Sequence, residues 1–146
     1  MSYCTLTDIE AVIQEADLIQ LTDDGGLGVL DQAKVDAAIA SAGDLIDGYL
    51  RGKYTLPIAS VPETLKTIAV DISLYRLYER RLKLSMPESI QLSYKNAVAL
   101  LAQIQQGKFS LGVAAAATPG HGPAGEISSN KTDASRVFTP DVLDQF

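Results

Sequence analysis

The chain has 146 residues, a formal net charge of −6 and 47% hydrophobic residues, a size that supports one packed core plus an appendage. No apolar run approaches the ~20 residues that span a bilayer, and Met1 to Asp8 offer neither the basic nor the apolar block of a secretory signal, so the expectation is a soluble protein made in a cytoplasm, with no membrane partner. Cys4 is the only cysteine, which excludes internal disulfides and cysteine-rich zinc sites and leaves a packed or exposed bystander thiol.

Apolar spacing and punctuation predict about four helices and an all-α bundle. The first opens at Thr7, where Thr7 and Glu10 have the spacing of a capping box, and runs to about Glu15. A loop containing Thr22, Asp23, Asp24 and three glycines, Gly25, Gly26 and Gly28, resets the chain. Asp31 is placed to cap a second helix reaching about Lys53, with Val35, Ala38, Ile39, Ala42, Leu45, Ile46, Tyr49 and Leu50 on one stripe. Pro57 and Pro62 make residues 54–62 an extended connection. The third helix starts with Pro62 and continues to about Leu84; its apolar residues surround the axis, so it is expected at the centre of the bundle. The fourth starts at Pro87 and ends by Gly107, with Ile90, Tyr94, Ala97, Val98, Leu101 and Ile104 inward. Residues 109–113 read as a short strand or turn. The helical head thus occupies residues 1–112.

Residues 113–146 are an extended arm of low-complexity sequence, rich in alanine, glycine, proline and serine, that buries little by itself. Its end turns apolar again at Val137, Phe138, Val142, Leu143 and Phe146. Apolar side chains on a free end are costly in water, so these five either dock on a partner or fold back on their own core.

Charge is unevenly distributed. Residues 1–50 hold ten acids and one base, Lys34, whereas residues 51–112 hold nine bases and four acids. Such a dipolar subunit suits head-to-tail association, with Arg76, Arg80, Arg81 and Asp71 as subunit-contact residues; solvated helix faces explain the same counts. Arg76, Arg80, Arg81 and Lys83 also suit the negative end of the third helix. Asp71, in the most apolar stretch of that helix, either pairs with Arg76 or another base across an interface or occupies an exposed strip.

Catalytic and metal chemistry find little support. The Asp23–Asp31 loop fails the calcium-loop count, because ligand positions fall on Gly25 and Leu27 and the closing glutamate is replaced by Lys34. A polar turn built on glycines is the better account, and replacing Asp23 and Asp24 is expected to cost little stability. His121 sits between Gly120 and Gly122 with no scaffold to hold it for acid–base work. The expectation is a protein that is not an enzyme, with no cofactor and no metal.

Several blocks carry a resemblance: Met1 to Ile9, Leu18 to Asp23 with its glycine loop, Ile46 to Leu50, Leu56 to Pro62, Ile68 to Leu77, Gly107 to Gly112, and Arg136 to Phe138. In this order they resemble a small structural protein of Mu-like phages and prophages. That family is similar to the head–tail connector, or adaptor, proteins of long-tailed phages. The resemblance implies a virion protein of the neck: a ring subunit, usually twelvefold, that docks on the portal protein, meets a tail or tail-terminator (stopper) protein and extends a channel through which DNA passes without specific binding. In that setting Val137, Phe138, Val142, Leu143 and Phe146 would be the portal anchors, and the acidic first half would line the channel, where negative walls keep DNA from sticking. Two other classes remain open, a cytoplasmic regulatory module that presents its C-terminal peptide, and a weak DNA-binding protein using the Arg76–Lys83 cluster.

Overall fold

The computed structural model describes residues 2–81, 84–113 and 115–116. Its helices are α1 (Leu6–Glu10), α2 (Glu15–Thr22), α3 (Gln32–Leu50), α4 (Glu63–Glu79) and α5 (Glu88–Gln105); among the described residues there is no strand, and the all-α bundle expected from the sequence is observed. α4 is the centre. It packs against both α3 and α5, which also touch each other, and α1 and α2 lie across its flank.

The apolar stripes act as the sequence indicates. Val35, Ala38, Ile39, Ala42, Ile46 and Leu50 of α3 are buried, and Leu65, Ile68, Val70, Ile72, Leu74 and Leu77 of α4 are buried on several sides of its axis. From α5 only Ala97, Leu101 and Ile104 reach full burial. Ser73 is completely enclosed on α4, where its hydroxyl donates to the Ala69 carbonyl at 2.7 Å and lies 3.8 Å from the Cys4 sulfur. Burial pushes the Cys4 thiol up, so it is a packing residue rather than a nucleophile. Tyr3, also buried, donates its hydroxyl to Asp47 of α3; burial first, and that carboxylate second, raise its phenol above the ordinary range.

Two boundaries differ from the sequence reading. The capping box belongs to Thr5 and Asp8, not Thr7 and Glu10: the Thr5 side chain accepts from the Asp8 amide, and Asp8 accepts from the Thr5 amide at 2.8 Å. That start puts Ile9 wholly inside the core. The helix then ends at Glu10, and Glu15–Thr22 is a separate helix, making five where about four were expected. α4 ends at Glu79, short of the predicted Leu84, and Pro62 and Pro87 occupy N-cap positions just outside α4 and α5.

α5 closes through a Schellman motif. Gly107 takes φ +81, its amide donates to Ile104 O at 3.1 Å and the Lys108 amide to Gln103 O at 3.0 Å. Beyond this cap Leu111 is buried.

The central position of α4 sets an expected outcome: Ile72→Ala, at a fully enclosed site, should lower the unfolding free energy by about 2–5 kcal/mol in denaturant melts.

Candidate functional site

Three features stand out: an ion cluster at the glycine loop, a groove beside Asp71, and the place where the arm leaves the bundle.

The ion cluster begins with a problem of helix ends. α2 has no basic residue in its last turn, and a helix terminus leaves its final carbonyls without intrahelical partners. Each finds a donor from elsewhere. Ile19 O accepts the Asp23 amide at 2.7 Å; Gln20 O accepts Arg81 Nη2 at 2.7 Å; Leu21 O accepts Arg80 Nη1 at 2.6 Å; Thr22 O accepts Lys34 Nζ at 2.7 Å. Arg81 Nη2 also donates to Asp23 O at 2.6 Å. These three cations sit at the negative end of the α2 dipole. Asp24 then faces all of them, at 2.6 Å from Arg80, 2.7 Å from Lys34 and 3.4 Å from Arg81. The Arg80 guanidinium first, and the Lys34 ammonium next, hold the Asp24 carboxyl far below the usual carboxylate range. Asp31 adds a second acid to Lys34 at 3.0 Å.

Asp23 shapes the loop itself. Its two oxygens accept the amides of Gly25 at 3.1 Å and Gly28 at 2.6 Å, with Gly26 and Gly28 at φ +69 and +72. The loop carboxylates are thus engaged by backbone amides and cations, and Leu27 is lifted into solvent at 79% exposure. The expectation that Asp23 and Asp24 are dispensable for stability is revised: Asp24 joins three side chains from α3 and the end of α4 to the end of α2.

The cluster also changes the meaning of the charge halves. Arg80 and Arg81, expected at a subunit contact, direct their donors into their own subunit, and Arg76 pairs with Glu79 at 2.7 Å. A contact with a neighbour or with DNA through Arg80 or Arg81 would first have to break these bonds. Lys83 lies outside the described residues.

Asp71 does not meet Arg76. It is half-buried in a groove between α4 and α5, beside Thr64, Thr67, Asn96, Ala97 and Leu100, and among the described residues no base pairs with it. Burial alone raises its carboxyl above the usual value. Nearby, Tyr75 and Tyr94 stack with ring centroids 3.9 Å apart, joining α4 to α5.

The arm root is built on the connection between α3 and α4. The Ala116 amide donates to Lys53 O at 2.9 Å, the Leu111 amide donates to the Tyr54 hydroxyl at 3.3 Å, and Lys53 Nζ donates to Ile104 O at 2.6 Å. A Cβ at Gly107 would stand 2.9 Å from that ammonium, the movable end of a flexible side chain, so it is the positive φ that requires glycine there. Tyr54, itself buried, also bridges to Ala115 at the root. The apolar anchors Val137, Phe138, Val142, Leu143 and Phe146, together with His121, lie outside the described residues.

Two measurements follow from this geometry. Arg80→Ala or Arg81→Ala should each lower stability by about 1–3 kcal/mol, because a charged donor is lost from helix carbonyls, whereas Arg76→Ala should stay within about 1 kcal/mol; chemical denaturation of the three variants compares them. Asp71→Asn should behave in the opposite sense. Because the folded-state carboxyl binds its proton more tightly than the unfolded one, Asp71 lowers stability as pH rises through the unfolded and then the folded pKa. The asparagine variant should therefore melt above the parent at pH 7 and lose that advantage near pH 3.

Residues 3–128 match the family described as Bacteriophage Mu, Gp36. The Mu-like prophage FluMu protein gp36 of Haemophilus influenzae is 33% identical over 84 residues, covering 58% of this chain and 57% of that protein. Gene product J of Escherichia phage Mu is 34% identical over 115 residues, covering 77% of this chain and 78% of that protein. The matched family residues take in the whole helical bundle and the arm root, and the chain belongs to the Bacteriophage Mu Gp36 family of phage proteins.

Proposed function

We propose that the protein is a head–tail connector subunit of a Mu-like phage, a neck component that forms a ring on the portal protein, meets the tail or its terminator protein and surrounds the DNA channel. The observation that carries this reading is the arm root. A compact helical head fixes the start of the arm through Lys53 and Tyr54, and thirty further residues run from there to an apolar end. Membership of a phage family supplies the setting. The ring contacts are not assigned to Arg80 and Arg81, whose donors serve α2.

The energetics of the arm favour a multivalent joint. Five apolar anchors contribute roughly 1.5–3 kcal/mol each when buried, and ordering residues 136–146 costs about 1–2 kcal/mol per residue in backbone entropy. These sums are comparable, so one isolated arm binds weakly. Several arms on one ring engage a portal together, and effective concentration makes the joint stable.

Deleting residues 136–146 is expected to leave the helical circular-dichroism spectrum and melting temperature nearly unchanged while blocking attachment to portal-bearing heads, so that electron microscopy of lysates shows tailless particles. Infectious particles assembled with the truncated chain would refute the reading. So would absence of the full-length protein from purified virions.

A further inference from the structure

The α4–α5 groove holds a half-buried carboxylate that its own described bundle leaves without a base. Asp71 stands towards one end of it and Glu63, already paired with Lys66 at 3.2 Å, towards the other, and Thr64, Thr67 and Asn96 supply polar atoms between them. Ala97 and Ile68, both nearly enclosed, form the floor. From Asp71 back to Thr64 the groove follows seven residues of helix, about 10 Å, which is the span of about three residues of extended chain. A matching occupant therefore carries one cation and, two residues on and on the same face, an apolar side chain.

The sequence contains such a segment beyond the bundle. Of the two bases after Ala116, Lys131 is followed by Thr132, whereas Arg136 is followed by Val137 and Phe138. Nineteen residues separate Ala116 from Arg136, a tether that reaches up to roughly 70 Å at full extension and so can cross to an adjacent subunit.

We propose that the groove receives Arg136–Phe138 of a neighbouring copy, with the guanidinium on Asp71 and with Phe138, which shares the face of Arg136 in an extended chain, over Ile68, Ala97 and Leu100. This rests on the ring reading, which supplies the neighbour, and it divides the arm: Arg136 to Phe138 fasten subunit to subunit, leaving Val142, Leu143 and Phe146 for the portal. The contact is heterologous, groove on one copy and arm on the next, which is the kind that closes into a ring. The cost of burying Asp71 unpaired in the free subunit is offset when the arginine arrives.

Disulfide trapping tests it with the full-length chain. One population carries Thr67→Cys in the groove wall and a second carries Thr139→Cys beside the anchor; they are mixed and oxidised, and dimers are read on non-reducing gels, Cys4 being buried. Mixed dimers are expected. Their yield should fall about tenfold or more when the groove chain also carries Asp71→Arg, through like-charge repulsion, and recover when the arm chain carries Arg136→Asp. Asp71→Asn, which removes the charge without adding bulk, should lower the yield while leaving the subunit folded. Dimers whose yield ignores the charge at 71 overturn the proposal, as does a double variant, Thr67→Cys with Thr139→Cys, that cross-links only within single chains. Missing cross-links in a protein that still forms rings sink the groove contact alone; failure to form rings at all sinks the connector reading with it.

Discussion

The satisfaction of the last carbonyls of α2 is the constraint that ties the N-terminal elements to the rest of the bundle. Eight residues make a helix too short to stand alone, and its last carbonyls face the junction of three elements. Arg80 and Arg81 from the end of α4 and Lys34 from α3 satisfy those carbonyls, and Asp24 holds the three cations together. Packing and capping therefore cannot be separated here. α2 is helical because α3 and α4 are already placed, and the turn between α2 and α3 has its shape because Asp23 and Asp24 are drawn to opposite tasks, one to backbone amides and one to side-chain cations.

That arrangement explains which parts of the fold could be read from the sequence. α3, α4 and α5 announce themselves because their apolar spacing is long and regular, and the stripe from Val35 to Leu50 is buried or half-buried throughout. The two short helices do not. Thr5 with Asp8 and Thr7 with Glu10 satisfy the same local pattern, and what separates them is tertiary: only the earlier start delivers Ile9 to the core beside Tyr3 and Cys4. α2 has no capping signal of its own, since its terminating arginines stand roughly sixty residues away, beyond any local window.

The charge asymmetry shows a related limit. Counting acids and bases along the chain gives two unlike halves, and two unlike faces are the natural inference. In three dimensions the halves meet inside one subunit at Asp24, which takes Arg80 and Arg81 of the second half. Asp71 behaves differently. It stood out in the sequence as an acid within an apolar helix, and in the fold it is a half-buried carboxylate that no base of the described bundle pairs with. A charge count could find both residues; only geometry separates the acid that has its cations from the one that does not.

The placement of the arm root has a mechanical meaning. The arm follows α5 in sequence, yet its first backbone bond is to Lys53, on the α3–α4 connection, and Lys53 reaches back to the last turn of α5. A pull on the arm therefore does not unwind α5 one turn at a time from its free end. The load enters at the point where three helices converge and is shared as shear among them, so the fastening gives way only when several bonds fail together. In the connector role we propose, a subunit holding two large bodies in register gains from attaching its tether at such a crossing rather than at the tip of a single helix.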